Sequence, residues 1–371
     1  MENNFNIDQK SLLSILTSMQ PICSKRTTLD TTSTILFHAD HKELVMKSTD
    51  LEISLQVSSP LENSAFSEAK SFLVSGKKIF ELIKELEGDI NFTLENNNIK
   101  INSGKAHLSL HIKDAQEFPP FPERIENLMQ IDSKTLLNLL EKVAFIIPQN
   151  NSNQALNGLL IEISKNDLKM TATNGHCLAQ VRTEKYNLEE PASWLIPKRA
   201  VFELKKIIET SAEGTVFLGK CKNQLVFSGE SFNFFTKLLS DQFPEYAPIL
   251  DRSGFKSGSI SRMDLIKTLR RSACLLSGQF IPTQFSFNED ELTISLMNKE
   301  VGTMQEKLTL SNFNGNIEIR FYAPYLLNGL QVFEDDNLKF NLSSSARPII
   351  IESTKDDVDA LYLVMPISPT S

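Results

Sequence analysis

The sequence predicts an α+β fold of three repeated domains, with antiparallel sheets covered on one face by helices. The first observation is a helix pattern written three times: IDQKSLLSILTSM from Ile7, IDSKTLLNLLEKVAFII from Ile131 and ISRMDLIKTLRRSACLL from Ile260. The copies stand 124 and 129 residues apart, a domain-sized period far longer than a solenoid unit. The second is another helical signal, SFLVSGKKIFELIKELEG at 71–88, which SWLIPKRAVFELKKIIE at 193–209 matches at a constant offset of 122. The third is that strand-like runs outnumber helical ones and follow each other at hairpin-length spacings, which favours antiparallel pairing.

In each copy of the first helix, a short apolar lead precedes a polar capping residue, Asp8, Asp132 or Ser261. Apolar positions then recur as one stripe, such as Leu136, Leu140 and Val143, which is how an amphipathic helix starts and buries a face. KELVMKSTD and LEISLQVS read as strands, and the second helix is expected to end at Gly88 as a C-cap glycine. INFTLENNNIKINSG and AHLSLHIK are further strands, and EFPPFPE is a proline-rich bend suited to a linker. The middle third repeats the plan through NGLLIEIS, DLKMTATN, CLAQVRTE, its second helix, TVFLGK, QLVFSG and NFFTKLLS, and QFPEYAP echoes the linker. In the last third FYAPYLLNGLQVF (321–333) is the second helix and ALYLVMP the terminal strand. The expected domains are 1–127, 128–253 and 254–371. Each is nearly a duplicated half, so the chain reads as six similar α+β units.

Composition fits this division: 371 residues with 41% apolar and 23% charged content allow three soluble domains of a size that supports a core. Cys23, Cys177, Cys221 and Cys274 are scattered, without CxxC or a histidine at ligand spacing, and read as reduced thiols of a cytosolic protein. No apolar run approaches membrane-spanning length, and MENNFNIDQK has no export pattern. A net charge of −8 argues against a general nucleic-acid coat, though not against positive charge gathered on one inner surface.

Phosphate-loop, dinucleotide, zinc-protease and esterase-elbow motifs are absent. His107 and His111 would stand about 13 Å apart along a strand, a poor start for a metal site. His176 beside Gly175 reads either as a base on a tight turn or as part of a structural or binding turn, and no nucleophile motif adjoins it. Basic residues gather on the repeated helices, among them Lys77, Lys78, Lys198, Arg199, Lys267, Arg270 and Arg271. With Glu81, Glu203 and Asp264 interspersed they are either solvated faces or a shared lining turned to a polyanion.

TATNGHCLAQVR (171–182), LIPKRAVFELKKII (195–208), FFTKLLSDQFPEYAPIL (234–250) and YLVMP (362–366) together resemble the sliding-clamp family, the β subunits of bacterial DNA polymerase III. The likeness runs over essentially the whole chain. It implies three clamp domains, sheets outside and helices inside, in a ring closed by a head-to-tail homodimer around double-stranded DNA. It also implies a cytoplasmic, non-catalytic processivity factor with no cofactor or metal. The expected partners are the DNA polymerase III α subunit, other polymerases and the clamp loader, with no membrane.

The resemblance further implies a groove for a short partner peptide between the second and third domains. Its residues would be Leu156, Thr173, Gly175, His176, Leu178, Pro244, Ile249, Pro348, Leu363, Val364, Met365, Pro366 and Ile367. Apolar, Met-containing walls suit varied anchors. Family-matched DNA contacts are Arg26, Lys77, Lys78, Lys198 and Arg199, whereas Tyr322-Ala323-Pro324 in the third domain carries no charge. Leu275 and Leu276, after Cys274, are the expected ring interface, with AHLSLHIK as the facing edge. The chain departs from the family at the turn, usually close to TDGHRLA, where it has Asn174 and Cys177, and in the neutral tail Ser368-Pro369-Thr370-Ser371. Peptide binding is therefore expected to lean on apolar anchors. An enzyme centred on His176 and a protein-binding scaffold of repeated domains are the competing readings.

Overall fold

Each first-helix repeat begins where a capping side chain ends a strand and starts a helix. Asp8 accepts the amide of Ser11 at 3.0 Å, Asp132 that of Thr135 at 2.8 Å and Ser261 that of Asp264 at 3.4 Å, which satisfies amides that have no partner within the helix. The computed structural model describes residues 3–61, 64–66, 68–123, 125–211 and 214–367. Along it a strand, a helix and three strands recur six times. The helices are α1 (Gln9–Cys23), α2 (Gly76–Lys84), α3 (Ser133–Ala144), α4 (Lys198–Ser211), α5 (Arg262–Cys274) and α6 (Ala323–Leu330). The repeated stripe is the buried one: Leu12 and Leu16, Leu136 and Leu140, Leu265 and Leu269.

The leads read as helix starts are strands. Asn4–Asp8 pairs antiparallel with Asp89–Glu95, Glu126–Asp132 with Thr215–Cys221, and Lys256–Ser261 with Asn337–Leu342. Phe5 and Ile7 are buried while Asn6 and Asp8 are exposed, the period-two signature of a half-buried strand. The second helices are likewise shorter than expected, because Lys70–Ser75, Ala192–Pro197 and Ile317–Phe321 precede them as strands. Gly88 lies beyond the end of α2, whose C-cap is Glu85. With φ at +70° it adopts the left-handed conformation that glycine accepts without strain, and its carbonyl accepts the Gln9 amide at 3.1 Å.

Contacts gather into two compact units rather than three thirds, Met1–Leu137 with Arg199–Leu238 and Asn138–Lys198 with Leu239–Ser371. Strand pairing across the borders of the thirds is the reason. In the first unit Ile53–Pro60 pairs with Phe232–Lys237, Leu55 opposite Phe234, which joins eight strands of the N-terminal third to four of the middle third. In the second, Cys177–Thr183 pairs with Val358–Val364, Leu178 opposite Leu363. Each unit therefore holds one twelve-stranded antiparallel sheet. Aromatic side chains fill both cores: Phe5 stacks on Phe92 at 4.8 Å in the first, and Phe285, Phe287, Phe321 and Phe340 cluster in the second.

Two strands have a largely open edge among the described residues. In Ala106–Asp114 the residues Ala106 to His111 pair with Asn98–Ser103, but on its other side only Ile112, Lys113 and Asp114 have partners. Gly302–Ser311 pairs with Glu291–Asn298, and on its other side only Leu310 and Ser311 do. Unpaired amides and carbonyls of this kind are a template for another strand.

Candidate functional site

The TATNGHC segment closes a tight turn with its own side chains. Asn174 Oδ1 accepts the amides of His176 at 2.9 Å and Cys177 at 2.8 Å. Thr173 Oγ1 donates to the Cys177 carbonyl at 2.6 Å and accepts the Gly175 amide at 3.1 Å. Gly175 sits at φ +90°, where a Cβ would be strained although the space around it is open. Asn174 thus supplies the same acceptor an aspartate would, and its departure from the family pattern leaves the turn intact.

Beyond the turn, the His176 carbonyl accepts the Met365 amide at 2.9 Å, and Leu178 faces Leu363 across the strand pair. Leu178, Leu363 and Ile350 form a buried cluster against which Tyr246, Ile249 and Met365 pack half-buried. The result is an open concavity of about 230 Å³. Of the residues expected there, Leu156, Thr173, Gly175, His176, Leu178, Pro244, Ile249, Leu363 and Met365 line it.

The others fall outside. Val364 is fully buried, because strand alternation turns it to the face opposite Leu363. Pro348 is buried before the strand Ile349–Lys355. Pro366 and Ile367 leave the hollow, the Ile367 amide donating to the Arg320 carbonyl at 2.8 Å. Ser368 to Ser371 lie outside the described residues.

Three lining residues were not among those expected: Cys177, Glu245 and Tyr246. The last two stand in QFPEYAP, whose prolines read as a linker although the same segment forms a wall. Burial pushes the Cys177 thiol up to about 12, so it is a neutral, apolar part of the lining. The Tyr246 hydroxyl donates to the Glu162 carboxylate. Burial first, and that carboxylate second, push its pKa up to about 12. The His176 ring stacks on Tyr325 at 5.4 Å, Tyr325 meets Tyr322 edge-on at 5.0 Å, and Tyr322 stacks on Phe280 at 4.5 Å. An aromatic row thus runs from the rim of the hollow to Phe280, which is 57% exposed. The imidazole thus packs face to face against the Tyr325 ring.

Family profiles of the DNA polymerase III beta subunit match the chain in three consecutive pieces: the N-terminal domain over 3–122, the central domain over 130–245 and the C-terminal domain over 252–368. The chain belongs to the DNA polymerase III beta subunit family. It is a DNA sliding clamp, a non-catalytic processivity factor of replication. The beta sliding clamp of Pseudomonas aeruginosa is 27% identical over 98% of this chain and 99% of its own length, and that of Vibrio cholerae is 27% identical with the same coverage. The crystal structure of a sliding clamp from Pseudomonas aeruginosa bound to griselimycin superposes with a TM-score of 0.91 at 26% identity, covering both chains completely.

The basic residues expected at the clamp's DNA face differ in their engagement. Arg26 is exposed after α1. Lys77 and Lys78 open α2 with side chains 73% and 65% exposed, each 3.8 Å from Glu81, a separation that holds them only loosely. Lys198 donates to the Ile147 carbonyl at 2.7 Å. Arg199 pairs with the carboxylate of Asp50, whose side chain is fully buried, and donates to the Pro21 carbonyl at 2.9 Å. Its guanidinium is therefore a strut of the first unit. At the expected ring interface Leu276 is 4% exposed and packs within its own subunit, while Leu275 caps α5 and its carbonyl accepts the Asn298 side-chain amide at 2.7 Å. No helix of the described residues is long and apolar enough to cross a membrane.

Proposed function

We propose that this clamp recruits its partners through the concavity at His176, which takes the apolar anchor of a short linear peptide from the DNA polymerase III α subunit, other polymerases or the clamp loader. The observation that carries the reading is the hollow itself: Leu178 and Leu363 form a rigid floor set by strand pairing, under half-buried Tyr246, Ile249 and Met365 that can adjust to an anchor. The aromatic row from His176 to Phe280 offers a second, shallower stretch for the same peptide.

Two copies close head to tail in this reading, the open edge of Ala106–Asp114 adding to that of Gly302–Ser311 on the partner. Leu108 and Leu110 on one strand and Met304 and Leu308 on the other are half-buried in alternation with exposed neighbours, as an interface awaiting its other side would be. Arg26, Lys77 and Lys78 then meet DNA phosphates, with Lys198 in support. The three domains would be 1–127, 128–253 and 254–371, working in the cytoplasm.

A fluorescence anisotropy titration of a labelled peptide with a Leu-Phe anchor tests the groove. Met365→Ala combined with His176→Ala is expected to weaken binding about tenfold or more. Unchanged affinity in that double variant would overturn the assignment.

A further inference from the structure

The charge around the hollow is one-sided. Among the described residues that line it Glu245 is the only carboxylate, and there is no lysine or arginine. Glu245 is exposed, next to half-buried Tyr246, and the Tyr246 hydroxyl is held by a second carboxylate, Glu162. One acid, Glu245, therefore stands on the wall beside the apolar floor at Leu178 and Leu363, with Glu162 behind Tyr246 and no lysine or arginine in the lining to offset it.

We infer that the hollow selects partner peptides carrying a lysine or arginine within a few residues of the apolar anchor and discriminates against those carrying an acid there. The inference rests on the peptide-groove reading above and adds its charge preference. An incoming carboxylate would lose water against a low-dielectric wall that already bears negative charge. A lysine there gains attraction from Glu245 while its stem covers apolar surface. The apolar floor supplies most of the affinity, and the rim charge separates one partner from another.

The experiment uses the full-length protein and three labelled peptides, identical except for a Lys, Gln or Glu beside a Leu-Phe anchor. At low salt the Lys peptide is expected to bind about threefold tighter than the Gln peptide, and the Glu peptide about threefold weaker. The spread should shrink at high salt and in Glu245→Gln, which keeps the shape of the wall. An equal or reversed order among peptides that bind would overturn the charge preference alone. Failure of all three to bind would overturn the groove reading and the preference together.

Discussion

Gly329→Ala is expected to destabilise the second unit by about 3 kcal/mol, although helix propensity alone would favour alanine by about 1 kcal/mol. Sterics decide the sign. Gly329 lies in α6, and an added Cβ would collide with the Tyr362 ring, which is buried at 2% exposure and anchored by its hydroxyl to the Tyr325 carbonyl at 2.7 Å. Tyr362 cannot yield without moving Leu363 beside it and Tyr325, which holds His176. The same substitution should therefore weaken peptide binding from the far side of the sheet. Thermal unfolding and the anisotropy titration check both effects, and a Gly329→Ala protein that melts at or above the parent temperature would contradict the packing described.

Arg199→Ala should cost about 2–3 kcal/mol at neutral pH, discounted from the usual penalty for an orphaned buried charge because the guanidinium is part-exposed. Burial raises the Asp50 pKa, but the Arg199 guanidinium and the amides of Ile53 and Glu52 outweigh it and hold the carboxyl below its usual range. A depressed carboxylate stabilises the fold above its unfolded pKa, and that stabilisation is lost as pH falls through the folded value. Without Arg199 the carboxylate keeps Lys25 at 3.7 Å and loses its strongest partner. The stability gap between parent and variant should be widest near neutrality and narrow below about pH 4 as Asp50 takes a proton. Chemical denaturation across that range measures it, and a gap independent of pH would show that Arg199 does not act through Asp50.

The helix caps were legible because they are local: Asp8, Asp132 and Ser261 each bond an amide three residues on, so the signal and its cause share one short window. The strands before the helices were not, since two or three apolar residues ahead of an amphipathic run fit either period, and only pairing with Asp89–Glu95 or its counterparts decides. Residues that the family pattern names, such as His176 and Leu363, do line the hollow. Val364 is buried away from the hollow: a consecutive run of residues ignores strand alternation. The pairing of Arg199 with Asp50 was not legible because the two stand 149 positions apart, and long-range ion pairs leave no trace in spacing. Tyr246 was obscured by prolines that signal a bend equally well in a linker and in a wall.

A clamp is held on DNA by topology, and its retention on circular duplex reports this. The protein is loaded onto nicked circular DNA with a clamp loader and ATP, and bound protein is measured before and after one restriction cut. A closed ring with few fixed contacts should stay on the circle and run off once it is linear, because only ends release it. Equal retention on both forms would mean ordinary charge contacts with phosphates and would contradict encirclement.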